Sequence, residues 1–229
     1  MAPDHSLTYR FAFKNLTHLS RLHHINKILN SIVNKDPYCD VGCSNGYLTN
    51  IFAEKYGIKN VTGFDNDIEN LAIARNFYNR IEFRHIDLNT QYKFESKFKL
   101  VTCFETLEHV GDLNNALNNL IELVDSNGIL VISVPIEVGL IGLIKFLIKT
   151  IVFRYTLNEL TIEKKLPHYF KYLLCLLLYK DPTIYRKTQR GFGTHFGFNF
   201  EYITIWMNEN KINYELVKKA TTAFYIIKL

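Results

Sequence analysis

Short apolar runs and amphipathic stretches alternate along the first 135 residues of the chain. Five apolar runs predict strands: one opens at Asp36, and the others span 60–65, 81–86, 98–104 and 128–135. Apolar residues recur at helical spacing over 14–34, 46–56, 66–79 and 112–125. An Asn-Gly turn at 127–128 is expected just before the fifth strand. Strands that alternate with helices predict an α/β fold with a parallel sheet and right-handed crossovers.

The end of the chain has a different pattern. Residues 200–209 have helical spacing, whereas 211–217 and 221–229 are rich in β-formers and are separated by a short polar stretch. Two such runs predict an antiparallel hairpin that closes the sheet.

A long insertion, 136–190, lies between the fifth strand and the late helix. It contains two apolar helical runs, 138–149 and 169–179, and loops of this length inside a compact domain are usually functional. Lysines interrupt the run 138–153, which is too short to cross a bilayer. Two interpretations stay open for the segment 138–180: peripheral contact with a membrane interface, or packing on the protein's own core or on a second copy.

Composition fits one domain spanning 1–229, with nearly half of its residues hydrophobic and a formal net charge of +5. A charge this small permits an anionic partner without requiring one. The four cysteines are scattered without a C-x-x-C pair, which favours reduced thiols in a cytoplasmic protein. The first ten residues lack the apolar core of a secretory signal. The expected location is therefore the cytoplasm, with membrane association as the open addition.

A glycine-rich turn, Asp40-Val41-Gly42-Cys43-Ser44-Asn45-Gly46, connects the first strand to a helix. Glycines at such a turn let the main chain approach a nucleotide-like ligand. The dinucleotide fingerprint requires glycine at the first, third and sixth positions, which here are Gly42, Ser44 and Tyr47. The turn therefore does not match a dinucleotide site. About twenty residues later, Asp65 ends the second strand, where a carboxylate can accept hydrogen bonds from both hydroxyls of a ribose.

The motif Asp-x-Gly-Cys-x-x-Gly, followed by strand-end Asp65 and by Asp87-Leu88, resembles the motifs of class I S-adenosylmethionine (SAM) methyltransferases over residues 36–135. The resemblance implies a Rossmann-like seven-stranded sheet of order 3-2-1-4-5-7-6, helices on both faces and a helical insertion after strand 5. It implies SAM as cofactor, a helix 14–34 over the cleft and the insertion 136–190 as a lid over the acceptor side. The implied cofactor-binding residues are Asp40, Gly42, Cys43, Ser44, Gly46, Asp65, Asn66, Asp87, Leu88 and Phe104.

Acceptor chemistry is expected just after the fourth strand. Glu105, Glu108 and His109 have the i, i+3, i+4 spacing that puts three side chains on one face of a helical turn. The segment Gly193-Thr194-His195 adds a second histidine. The first feature resembles small-RNA 3′-terminal 2′-O-methyltransferases, which use Glu-x-x-Glu-His and a later His to hold a divalent metal on the ribose hydroxyls. Both features are also similar to ubiquinone-type O-methyltransferases, which carry a Leu-Glu-His-Val segment and a later Gly-Thr-His.

That similarity leaves three interpretations of the acceptor-side residues. Glu105, Glu108, His109 and His195 are candidate ligands of a divalent metal (Mn, Mg or Zn), which would orient a hydroxyl and lower its pKa. Alternatively, His109 or His195 acts as a metal-free general base beside Glu108. The third interpretation is a purely structural role.

The resemblance implies a SAM-dependent O-methyltransferase that acts on a hydroxyl of a small molecule, sugar or lipid-linked acceptor. One alternative is RNA ribose 2′-O-methylation, but the basic residues are dispersed, so nucleic acid is not an expected partner. The other alternative is a non-catalytic SAM-binding regulatory subunit. The identity of the acceptor and the oligomeric state stay open.

Overall fold

A computed structural model describes residues 16–153, 165–180, 182–185 and 197–229. The strands are β1 Tyr38–Val41, β2 Val61–Asp65, β3 Glu82–His85, β4 Phe98–Phe104, β5 Val124–Pro135, β6 Tyr214–Lys219 and β7 Thr222–Lys228. The helices are α1 Leu16–Ser31, α2 Tyr47–Tyr56, α3 Ile68–Phe77, α4 Leu113–Leu123, α5 Gly139–Phe153, α6 Lys165–Leu177 and α7 Glu201–Glu209. Single 3-10 turns occupy Leu107–His109 and Thr183–Tyr185.

The seven strands form one sheet in the order β3-β2-β1-β4-β5-β7-β6, which confirms the expected order. Strands β1 to β5 pair in parallel, and β7 pairs antiparallel with both β5 and β6. The predicted closing hairpin is therefore present. Its turn contains Ala220, whose φ of 50° is in the left-handed region. Because β1 lies between β2 and β4, the carboxyl ends of these three strands meet at one edge, where open α/β sheets bind ligands.

Helices cover both faces of the sheet because successive residues of each strand point to opposite faces. On β4, Leu100 joins a core with Ile25 of α1 and Phe52 of α2, whereas Val101 joins the opposite core. That second core contains Leu120 of α4 and Ile203 of α7. The expected layers of an α/β fold are therefore confirmed.

The predicted Asn-Gly turn before the fifth strand is wrong. Strand β5 begins at Val124 and continues through Gly128 to Pro135. The register with β4 changes from Phe98 opposite Val124 to Leu100 opposite Ile129, so the extra residues are accommodated as a bulge within the strand.

The insertion after β5 is helical in its described parts, α5 and α6. The two helices pack on each other through Phe146 and Tyr172, whose ring centroids are 4.6 Å apart, and both rings belong to the main core. Across the described residues, no helix combines the length and the apolarity needed to cross a membrane.

Candidate functional site

A cavity of about 1190 Å³ opens at the carboxyl ends of β1, β2 and β4. Its floor is the turn between β1 and α2, and one wall is the segment after β4. His18 and Arg21 of α1 line it from one side, and Lys145 and Ile148 of α5 line it from the insertion. Helix α1 and the insertion therefore both border the cavity.

The turn after β1 is fixed by its neighbours. The amide groups of Gly42 and Cys43 both donate to the carbonyl of Phe64 on β2, at 2.7 and 3.0 Å. Gly42 has a φ of +81°, and a Cβ there would lie 2.0 Å from the Thr106 side chain. Only glycine fits, because the backbone conformation and the close approach of Thr106 both exclude a side chain.

Asp65 lies beside this turn at the end of β2. Its carboxylate accepts from the amide groups of Ser44, at 2.7 Å, and Asp67, at 2.9 Å. Burial raises the pKa of Asp65. Ser44 has a φ of 49°, and its buried hydroxyl has no hydrogen-bond partner among the described residues. A buried polar atom of this kind next to a carboxylate suits a ligand that brings hydroxyl groups.

Asp40 holds the base of the turn from inside the sheet. Its two carboxyl oxygens accept from the hydroxyls of Thr49, at 2.6 Å, and Thr102, at 2.8 Å. Burial raises the pKa of Asp40 to about 6, although both hydroxyl donors oppose that shift. These bonds link β1 to α2 and β4. Asp40 therefore stabilises the conformation of the turn and also borders the cavity.

Of the ten residues expected to bind the cofactor, nine line this cavity: Asp40, Gly42, Cys43, Ser44, Asp65, Asn66, Asp87, Leu88 and Phe104. Gly46 does not line it. Gly46 precedes α2 with a φ of +74°, and a Cβ there would lie 2.6 Å from the Phe83 ring. Its glycine requirement therefore comes from the packing of β3 against the turn.

An ion pair joins α1 to the end of β4. The Arg21 guanidinium lies 2.7 Å from a carboxyl oxygen of Glu105, and the Ser133 hydroxyl donates to the other oxygen at 3.0 Å. Burial raises the pKa of Glu105, and Arg21 partly opposes that shift. Arg21 lies outside every motif recognised in the sequence, and its partner follows 84 residues later.

The predicted arrangement of Glu105, Glu108 and His109 on one face of a helical turn is wrong. Glu105 precedes the 3-10 turn with a φ of 51°, and its amide donates to the Ser133 carbonyl on β5 instead of entering a helix. Glu108 is buried, whereas His109 is exposed. All three nevertheless border the same cavity, because the chain turns sharply there.

Glu108 has an unusual environment for a carboxyl group. One of its oxygens is buried and has no hydrogen-bond partner in the part of the chain that the structure describes. Burial, followed by the nearby Glu105 carboxylate, raises the pKa of Glu108 well above its usual value. A raised pKa widens the pH range over which Glu108 keeps its proton and can donate a hydrogen bond into the cavity.

The insertion contributes a second ion pair that the sequence reasoning missed. Glu137, buried just after β5, contacts the Lys145 ammonium, which also donates to the Ile136 carbonyl at 3.2 Å. Glu137 and Lys145 both line the cavity. Glu137 could have been predicted from the sequence by its position, because it lies at the carboxyl end of its strand. The predicted site residues Asp65 and Glu105 lie at the carboxyl ends of their strands in the same way.

Across the described residues, no group of three or more His, Cys, Asp or Glu side chains gathers as a metal site requires. Glu105 is already engaged by Arg21 and Ser133. His195, the fourth candidate ligand, lies outside the described residues. The described part of the candidate set therefore does not fit a metal ion.

The charge of the cavity bears on its ligand. Seven carboxyl residues line it, whereas Arg21 and Lys145 are its only lysine or arginine among the described residues; the acids are Asp40, Asp65, Asp67, Asp87, Glu105, Glu108 and Glu137. A predominantly acidic cavity repels phosphate groups and favours a ligand with positive charge. SAM carries a sulfonium and an ammonium group, so the cavity suits it better than a dinucleotide.

Curated relatives are enzymes of methyl transfer. The ubiquinone biosynthesis O-methyltransferase of Histophilus somni (strain 2336) is 30% identical over 123 residues, which cover 50% of this chain and 50% of that protein. The malonyl-[acyl-carrier protein] O-methyltransferase of Acetivibrio thermocellus is 29% identical over 96 residues, which cover 41% of this chain and 34% of that protein. The chain spans half or less of the length of these two relatives.

Solved structures of low sequence identity share the fold. The methyltransferase domain of bacterial CtHen1-CN superposes with a TM-score of 0.56 at 16% identity, over 93% of this chain and 99% of that one. A SAM-dependent methyltransferase from Aquifex aeolicus gives a TM-score of 0.54 at 11% identity, over 89% and 88% of the two chains.

A family model described as a methyltransferase domain matches residues 32–168, more than half of the chain. The matched span contains the glycine turn, Asp65 and the Glu105–His109 segment. With its sheet order, its acidic cavity and this match, the chain belongs to the SAM-dependent methyltransferases.

Proposed function

We propose that this protein transfers a methyl group from SAM to a hydroxyl oxygen of a small molecule, sugar or lipid-linked acceptor. The observation that carries the proposal is the unpaired, buried oxygen of Glu108 at the end of the cavity bordered by Glu105, Arg21 and Lys145. A buried polar atom without a partner is costly, so it suits a polar group that a substrate brings. The two relatives described above are both O-methyltransferases, which supports oxygen as the acceptor atom.

The cofactor half of the cavity is the proposed SAM site. Asp65 would accept hydrogen bonds from ribose hydroxyls, while Asp87 and Leu88 border the region expected for the adenine. When bound, SAM supplies an electrophilic methyl group on a positively charged sulfur. The chain's own task is to align the acceptor with that methyl group and to remove the hydroxyl proton.

We assign the proton transfer to His109. It borders the cavity next to Glu108, and imidazole can accept a proton at neutral pH. SAM would supply the methyl group to the acceptor oxygen and leave as S-adenosylhomocysteine, and the imidazole of His109 would take up the hydroxyl proton. Protonated Glu108 donates a hydrogen bond that orients the acceptor and is a positioning group in this scheme.

The metal-assisted scheme stays a separate prediction because His195 lies outside the described residues. It requires Glu105 to release Arg21 and Glu108 to lose its proton, and both changes cost free energy in a buried site. RNA ribose methylation has weaker support, because the cavity's Arg21 and Lys145 are both engaged by carboxylates and are not free to bind a phosphate backbone.

The direct test is transfer of tritiated methyl from SAM into a fractionated host-cell lysate, using the wild-type chain, His109→Ala and His23→Ala. His23 is an exposed histidine on α1 that does not line the cavity, so it controls for the substitution itself. We expect label in the solvent-extractable or glycan fraction, a loss of about 100-fold or more in His109→Ala, and little change in His23→Ala.

Three results would contradict the proposal. Nuclease-sensitive label would indicate RNA as the acceptor. Equal activity of His109→Ala and the wild type would remove His109 from the reaction. No label in any fraction, together with measurable binding of S-adenosylhomocysteine, would indicate a non-catalytic SAM-binding subunit.

A further inference from the structure

Both helices of the insertion expose a stripe of large apolar side chains. On α5 the stripe comprises Leu140, Ile141, Ile144, Ile148 and Ile151. On α6 it comprises Leu166, Phe170, Leu174 and Leu177. Single exposed apolar residues are ordinary, but nine of them on one pair of packed helices are a feature that proteins otherwise cover.

The stripe residues stay outside the core, although Leu140 and Ile141 border a small pocket beside Phe200 and Ala220, and Ile148 borders the main cavity. The side chains that enter the core, Phe146 on α5 and Tyr172 and Leu176 on α6, stand two positions from stripe residues, which is on the opposite side of a helix. Ile151 is 76% exposed and Leu166 is 67% exposed, so packing on the protein's own core does not account for them. Of the open interpretations, packing on the protein's own core therefore leaves these residues uncovered.

The net charge of the insertion indicates which kind of partner binds the two apolar stripes. Residues 136–190 contain ten Lys and Arg and four Asp and Glu, a net charge of +6. The rest of the chain contains the other seventeen basic and eighteen acidic residues, a net charge of −1. The positive charge of the protein is therefore concentrated in the segment that bears the exposed apolar face.

We infer that the α5–α6 face docks on the surface of a membrane that contains anionic lipids. Apolar side chains that enter the headgroup region and flanking Lys and Arg that attract anionic headgroups are the two parts of interfacial binding. A second copy of the chain is a poorer occupant, because it would bring two insertions of charge +6 together. The docking does not depend on which acceptor is methylated.

The docked orientation has a consequence for the acceptor, and this consequence rests on the proposed function. Ile148 belongs to the α5 stripe and also lines the cavity. An acceptor whose apolar tail stays in the bilayer would reach the cavity along this residue. A lipid-linked hydroxyl is therefore the acceptor class that the geometry favours.

The test is cosedimentation of the full chain with sucrose-loaded vesicles of phosphatidylcholine alone or mixed with phosphatidylglycerol. The variant is Ile144→Asp/Leu174→Asp, which changes both stripes at positions that do not line the cavity. The matched control is Ile205→Asp, because Ile205 on α7 is 49% exposed and lies outside the insertion. No methyl donor is present, so the result is independent of the proposed reaction.

We expect binding to the anionic vesicles only, at least about tenfold weaker in the double variant and unchanged in Ile205→Asp. Raising the salt from about 0.1 to about 1 M, which shortens the Debye length from about 10 to about 3 Å, should release part of the bound protein. Equal binding by the double variant, or no binding to anionic vesicles by the wild type, would overturn the inference. A wild-type dimer in light scattering that the double variant abolishes would overturn it in favour of a second copy.

Discussion

Arg21 and Glu105 form an ion pair of 2.7 Å that joins α1 to the end of β4 at the border of the cavity. Both side chains are largely buried, with exposed fractions of 11% and 17%. The pair thus links the end of β4 to a helix that the motifs do not include.

Replacing Arg21 by alanine should destabilise the fold by about 1–3 kcal/mol, because it leaves a buried carboxylate without its charged partner. Urea unfolding measures the change. Arg80→Ala is the control, since Arg80 and Glu54 form an exposed pair at 3.5 Å that is worth less than about 1 kcal/mol. Equal, small effects of both substitutions would show that the Arg21 pair does not hold α1.

Gly42→Ala should weaken binding of S-adenosylhomocysteine by at least about tenfold, about 1.4 kcal/mol, because the new Cβ would collide with Thr106 in the turn. Isothermal titration calorimetry measures the affinity. Gly57→Ala is the control, because it introduces the backbone strain of a Cβ at positive φ without a collision. Gly57 also has a positive φ, of +64°, but a Cβ there would have no neighbour within 4 Å. If the two variants bind equally well, the shape of the turn does not determine cofactor affinity.

Asp40 should make the fold less stable as the pH rises. In the folded chain burial raises its pKa from 3.8 to about 6, so the folded state keeps a proton that the unfolded state has already lost. Between about pH 4 and pH 7 this difference corresponds to a loss of about 3 kcal/mol from the free energy of unfolding. Asn cannot titrate, so subtracting the Asp40→Asn profile from the wild-type profile isolates this contribution.

Urea unfolding at several pH values provides both profiles. We expect the wild type to lose stability relative to Asp40→Asn as the pH increases through 6. Parallel profiles would show that Asp40 titrates normally and that its burial has no such consequence.

The sequence predicts the sheet and the cofactor half of the cavity well, because both depend on local patterns. Strand-end residues such as Asp65 converge once the strand order is known. The acceptor half depends on contacts that local patterns do not contain. Arg21 reaches Glu105 only after α1 folds over the sheet, and the i, i+3, i+4 spacing of Glu105 to His109 fails because Glu105 bonds to β5.

The exposed face of the insertion is a second feature that could not be predicted from the sequence. Helix α5 is apolar on nearly every side, so its periodicity does not distinguish the face that enters the core from the face that stays exposed. That choice follows from tertiary packing of Phe146 against Tyr172. The exposure of Ile151 could therefore not be predicted from spacing alone.

The most direct test of the account compares Glu108→Gln and Glu108→Ala with the wild type in the tritiated-methyl assay, with and without a chelator. Glutamine keeps a neutral hydrogen-bond donor at this position, so Glu108→Gln should retain most activity. Glu108→Ala should lose about 10–100-fold, the value of a buried hydrogen bond of about 1–3 kcal/mol, and the chelator should change neither result. If Glu108→Gln is as inactive as Glu108→Ala and the chelator abolishes wild-type transfer, an ionised Glu108 binds a metal and the account of a protonated positioning group is wrong.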